Sequence, residues 1–156
     1  MNNISIIEFI KKSPKAELHL HIEGTLEPEQ MFLFAKRNNV QTPFKNINEA
    51  KEAYNFNNLE SFLKIYYEGA KVLLKENDFF ELTWAYALKC KDDNIIHTEI
   101  FFDPQTHTNR GVSFDFIING IFQKAVLITL LILSVISLLL CFSQSSDNSQ
   151  WQSKTD

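Results

Sequence analysis

Two histidines separated by one residue, His19 and His21, sit in the run Glu17-Leu18-His19-Leu20-His21-Ile22-Glu23-Gly24-Thr25. Side chains two apart on a β-strand point to the same face, so both imidazoles can reach one divalent ion. Neutral imidazole nitrogen is a common zinc ligand, and a metal held this way can activate water. The plainer alternative is a pair of rings lining a polar cavity. Glu17 shares the polar face with both histidines, which suits a carboxylate that orients a ligand ring or one that faces solvent. A second group, Asp103, Gln105 and His107, follows an apolar β-rich run farther along. His107 suits a site rim or a loop tie, and His97, inside that run, suits a hydrogen-bonded structural role.

These residues need elements to hold them. Ile4 to Lys11 has apolar residues at helical spacing and stops at Ser13-Pro14, because proline disfavours helix in the residue before it. Ala16 to His21 alternates polar and apolar residues as a strand does. Glu27-Pro28-Glu29 opens a helix to about Arg37, with proline and acids both favoured in a first turn, and Asn38-Asn39 ends it. Leu59 to Leu74, after a capping Asn58, and Phe79 to Cys90 are two further helices by the same periodicity. Ile95 to Phe102 is a strand ended by Asp103-Pro104, and Ser113 caps a helix from Phe114 to about Ala125. Strands separated by helical stretches argue for an α/β fold with a parallel sheet, where chemistry gathers at the carboxyl ends of the strands.

The chain has 156 residues, 45% hydrophobic and 22% charged, with a formal net charge of −4. That length suits one domain or part of one. The acidic balance and scattered lysines argue against nucleic acid as a partner. Cys90 and Cys141 lack metal-type spacing, so reduced thiols and a cytoplasmic location are expected. The amino terminus has its lysines after the apolar stretch, the wrong order for a secretory signal.

Three regions differ in composition. Residues 1–124 carry the helices and strands above. Residues 125–142 are an uncharged run from Ala125 to Phe142, and residues 143–156 are polar. The run is expected to form an apolar helix, long enough to span a bilayer near the lower limit. A membrane anchor, a buried core helix and out-of-frame translation after about Lys124 all fit it, the last best. The polar tail lacks the apolar surface to order itself.

The whole run from Pro14 to Glu29, together with Leu59-Glu60-Ser61-Phe62-Leu63 and Phe101 to Val112, resembles the adenosine/adenine deaminase family of zinc-dependent purine deaminases. The resemblance covers residues 5 to 124. Glu23 to Glu29 and Phe102 to His107 are more similar to the adenine-type branch than to the animal adenosine-type branch, which favours Asp at the position of Glu23.

The resemblance implies the N-terminal part of a (β/α)8 TIM barrel whose first strand provides two zinc ligands, at His19 and His21. It implies hydrolysis of adenine or adenosine to hypoxanthine or inosine, with ammonia released and a zinc-activated water as the nucleophile. Glu23 matches a position lining the purine pocket, and Phe62 lies in a helix that walls it. The family's third histidine, aspartate ligand, general-acid glutamate and second catalytic histidine belong to later segments, so no catalytic acid or base is assigned here. Such a barrel takes about 250 residues. The expectation is a truncated barrel without full activity, with a non-catalytic or membrane-tethered interaction protein as the alternative.

Overall fold

The computed structural model describes residues 5–132 and 135–140, with side chains through Gln123. α1 (Ile6–Lys12) starts where the Ser5 hydroxyl accepts the Glu8 amide at 3.2 Å and stops at Ser13, before Pro14. None of its residues is buried, and Ile6, Ile7, Phe9 and Ile10 are each more than half exposed. β1 (Lys15–His21) leads through a single 3-10 turn, Ile22–Thr25, into α2 (Pro28–Asn38). Pro28 in the first turn loses no hydrogen bond there. Asn39 closes the helix at φ 54°, a left-handed conformation that asparagine tolerates.

α3 (Ile47–Ala53) is capped by the Asn46 side chain, which accepts the Glu49 amide at 2.9 Å. Only Ala50 of its residues is buried, so its sequence carries almost no helical hydrophobic period. α4 (Leu59–Ala70) opens with reciprocal bonds: Asn58 accepts the Ser61 amide at 2.8 Å, and the Ser61 hydroxyl accepts the Asn58 amide at 3.2 Å. The helix ends before Val72 and Leu73, which turn inward as a buried loop. α5 (Glu76–Asp92) begins ahead of its apolar period, because Asp78 accepts the Leu74 and Lys75 amides. β2 (Ile95–Phe102), α6 (Pro104–Thr108), α7 (Phe114–Ile132) and β3 (Val135–Leu140) complete the order.

The three strands form one parallel sheet in the order β1-β2-β3. Alternation along β2 buries Thr98, Ile100 and Phe102 on one face. That face joins Phe34, Phe79, Leu82, Ile117 and Ile121 in the core. Each buried phenylalanine contributes about 2 kcal/mol relative to exposure. α5 and α7 approach closely at Gly120, where an added Cβ would stand 2.5 Å from the Glu76 carbonyl oxygen. Among the described residues β1 and β3 are the sheet edges, each with one neighbour.

The uncharged run differs from its expectation. Instead of one apolar helix over 125–142, α7 carries the chain through Ile132 and Val135–Leu140 is a strand paired in parallel with β2. The physical reason is that parallel strands, covered on both faces in α/β proteins, read as continuous apolar runs and imitate helix or membrane sequence. Among the described residues no helix is long and apolar enough to cross a membrane. The expected polar tail, 143–156, lies outside the described residues.

Candidate metal centre

Regular alternation would put Glu17, His19 and His21 on one face of β1, and the register shows otherwise. Glu17 pairs with Thr98 and Leu20 with Ile100, so Leu18 and His19 together oppose Glu99 alone. This β-bulge inserts one residue and puts Ala16 and Glu17 in the opposite facing from the one regular alternation would give them. His19 takes up the kink at φ 59°. Glu17 therefore falls on the helix side, where its carboxylate accepts the Tyr86 hydroxyl at 2.8 Å, and that hydroxyl lies 2.6 Å from Thr98 Oγ1. Neither role considered for Glu17, orienting a histidine or facing solvent, is the one it has.

His19 and His21 remain together beyond the bulge. Their ring centroids are 5.5 Å apart, and both rings lie against Phe101, at 4.2 Å and 5.7 Å. Two imidazoles on one tetrahedral zinc, with Zn–N near 2 Å, have centroids about 5 Å apart. The pair thus fits a shared ion in donor chemistry and in spacing. Both face an open pocket of about 560 Å³, bordered also by Leu20, Phe62, Tyr66 and Asp103.

Under this pocket lies a chain of hydrogen bonds tying β1 to β2. Glu23, 3% exposed, accepts the Asp103 amide and His107 Nε2 on Oε1, both at 2.9 Å. Arg110 donates to His107 Nδ1 at 2.9 Å and to the carbonyls of Ala70 and Lys71. A guanidinium has no acceptor, so the network assigns the His107 proton to Nε2 and leaves the ring neutral. The Tyr66 hydroxyl stands between the two carboxylates, 2.8 Å from Asp103 Oδ2 and 3.1 Å from Glu23 Oε2. Burial first, and then the adjacent negative charge of Glu23, pushes the Tyr66 phenol far above its ordinary range. Burial lowers the Arg110 guanidinium.

His21 Nδ1 lies 3.4 Å from Asp103 Oδ1. Donor atoms of His21, Glu23 and Asp103 all fall within 4.8 Å of one another, a group of the right chemistry for a metal ion. Two buried carboxylates beside a neutral histidine leave negative charge at the pocket base, which favours a cation there.

The residues singled out from the sequence separate into two layers. His19, His21 and Phe62 border the open pocket. Glu23 sits beneath it, against a smaller cavity of about 70 Å³ that Phe62 and Tyr66 also border. His107 is fully buried and serves as a loop tie, and His97 lies 3.9 Å from Glu99, outside the cluster. Tyr66 and Arg110 had no sequence signal beyond their place in helical or loop patterns, whereas Asp103 stood at a strand's carboxyl end without a partner to define its task.

Residues 14–155 match the family described as Adenosine deaminase. The adenine deaminase of Psychrobacter cryohalolentis is 62% identical over 116 residues, 74% of this chain and 35% of the relative. The solved adenine deaminase of Arthrobacter aurescens superposes with a TM-score of 0.74 at 42% identity, over 81% of this chain and 38% of that one. An amidohydrolase from Burkholderia ambifaria, solved with bound zinc, shares the fold with a TM-score of 0.72 at 17% identity, over 89% of this chain and 39% of that one. The chain spans about a third of the length of the curated relatives it matches. Its parallel sheet, the histidine pair at the end of β1 and the match across nearly all its length together establish that the chain belongs to the adenosine deaminase family.

Proposed function

We propose that this chain is the first-strand portion of a zinc-dependent adenine deaminase, which converts adenine and water to hypoxanthine and ammonia. The observation that carries this reading is the His19–His21 pair, 5.5 Å apart at the base of an aromatic-walled pocket. Relatives at 62% identity bear the name adenine deaminase, and the zinc of the Burkholderia ambifaria neighbour supports the choice of ion. A cytoplasmic location and a purine as the small-molecule partner accompany it.

His19 and His21 would hold the ion through ring nitrogens, and bound zinc would supply a water whose pKa falls to about 7. The chain's own residues do the rest of what is visible. Phe101 packs against both imidazoles and limits their rotation. Phe62 and Tyr66 give the pocket an apolar wall against which a flat purine can lie. Glu23, whose Oε1 already accepts the Asp103 amide and the His107 ring, acts as a strut beneath the pocket. Catalytic zinc takes about three protein ligands, and general acid catalysis needs a positioned proton donor. Beside His19 and His21, the oxygens of Glu23 and Asp103 are taken up by the Asp103 amide, His107 and Tyr66, so this chain alone is expected to bind zinc weakly and turn nothing over.

The test measures ammonia release from adenine and adenosine, with zinc counted in parallel. It uses this chain alone and this chain co-expressed with the part of the Psychrobacter cryohalolentis relative that it does not match. Adenine-dependent ammonia only from the pair supports the proposal. Robust turnover by the single chain sinks the partial-site reading, and a zinc-loaded complex that ignores adenine sinks the substrate.

A further inference from the structure

We propose that Asp103 is a positioning residue for His21: its Oδ1 holds the imidazole by Nδ1, so that Nε2 is presented to the pocket. The inference rests on the metal reading of His19 and His21 and names the device that prepares one of them. His21 Nδ1 and Asp103 Oδ1 approach to 3.4 Å, an ion-pair distance just beyond a formed hydrogen bond. Asp103 is 6% exposed and anchored at two other points. Its amide is held by Glu23 Oε1 at 2.9 Å and its Oδ2 by the Tyr66 hydroxyl at 2.8 Å. Oδ1 is the oxygen left over, and it faces His21.

The register explains how the pair meets. His21 pairs with Phe101, so the residue two beyond Phe101 continues past the end of β1's last side chain. The bulge before Leu20 sets this relation, since without it His21 would turn to the opposite face. An imidazole has two nitrogens, and the one free for a metal is decided by what the other touches. Carboxylates that hold ligand histidines in this way tune metal affinity by about 10–100-fold. Glu23 and Tyr66 then act one step farther out, by fixing the carboxylate rather than the ring. Tyr66 can do so because its one phenol proton has its nearer acceptor in Asp103 Oδ2.

Long-range ¹⁵N–¹H spectra of the chain test this without metal, since they show which His21 nitrogen carries the proton at a pH where the ring is neutral. The neutral Nε2–H ring of His107 is the internal reference. The expected result is Nδ1–H for His21 and loss of that preference in Asp103→Asn. Zinc affinity, read by chelator competition, is expected to fall about 10–100-fold in Asp103→Asn and by less in Tyr66→Phe, which keeps the carboxylate but frees it. Circular dichroism confirms that each variant is folded, and Tyr66→Phe carries the test if Asp103→Asn is not. An Nε2–H tautomer in the unmodified chain, or unchanged zinc affinity in both variants, overturns the proposal. A chain that shows the expected tautomer and its loss but binds no zinc upholds the positioning and overturns the metal reading alone.

Discussion

Glu23 Oε1 accepts the backbone amide of Asp103 at 2.9 Å, fastening the turn after β1 to the end of β2 across 80 residues of sequence. The same oxygen takes the His107 proton, and the other lies 3.1 Å from the Tyr66 hydroxyl, whose one proton has its nearer acceptor in Asp103 Oδ2 at 2.8 Å. One buried carboxylate oxygen thus satisfies two donors, the Asp103 amide and the His107 ring, from the end of β2 and from α6. It defines the base on which the histidine pair stands.

Replacing Glu23 with alanine removes the acceptor of the Asp103 amide and of the His107 ring, both buried. Each unsatisfied buried group costs about 1–3 kcal/mol, so Glu23→Ala is expected to lose about 3 kcal/mol in urea unfolding. Glu23→Gln keeps acceptance at one oxygen but turns an amide N–H toward Tyr66, and should recover part of the loss. Equal midpoints for Glu23→Ala and the unmodified chain would falsify the strut role.

Asp78 is the corresponding anchor at the opening of α5. It is fully buried and accepts from Arg37, from Asn38 at 2.7 Å, and from the amides of Leu74 and Lys75. Arg37, though partly desolvated, is raised above its ordinary value by Glu81 and Asp78. Asp78→Ala is expected to cost about 3 kcal/mol, because it strands the Leu74 and Lys75 amides, each costing about 1–3 kcal/mol when left unsatisfied. A chemical denaturation curve checks it, and a loss under 1 kcal/mol contradicts this account.

Gly120 marks the closest approach of two helices. A Cβ there would lie 2.5 Å from Glu76 O and 2.7 Å from Phe79 Cβ, and backbone cannot yield as a side-chain tip can. Gly120→Ala is expected to push α5 from α7 and destabilise by about 2 kcal/mol, despite alanine's higher helix propensity. Stabilisation in a thermal melt would show that the helices separate without cost.

Alkaline pH should weaken the fold through its tyrosines. Burial, with help from the Glu27 carboxylate, pushes the Tyr54 phenol up to about 12 from an ordinary 10. Burial also raises Tyr66 and Tyr86. These groups are protonated in both states below pH 10, so their contribution is intact there. As pH rises from 10 towards 12 the unfolded chain releases protons that the folded chain retains, and stability falls with pH. Urea midpoints should be flat in this respect below pH 10 and decline as pH rises towards 12, and Tyr54→Phe should reduce the decline by one proton's worth. A slope unchanged by Tyr54→Phe would exclude Tyr54 as a contributor.

Much of the element order was legible because helices and strands here carry strong periods and clear stops. Asn58 caps α4, Asn39 ends α2, and Asp103-Pro104 ends β2 where residue chemistry says they should. α3 escaped because a seven-residue helix with one buried side chain has no period to detect. β3 escaped because an uncharged parallel strand looks like the continuation of the helix before it.

Local sequence by itself determined the histidine pair, the strand that bears it and the family resemblance, since these depend on residues adjacent in the chain. Only tertiary structure decided that Glu17 turns away to Tyr86, that Asp103 stands behind His21, and that Glu23 is a strut under the pocket. The reason is register: a one-residue bulge sets which face each side chain takes, and it is specified by pairing with β2, about eighty residues later, rather than by any period within β1.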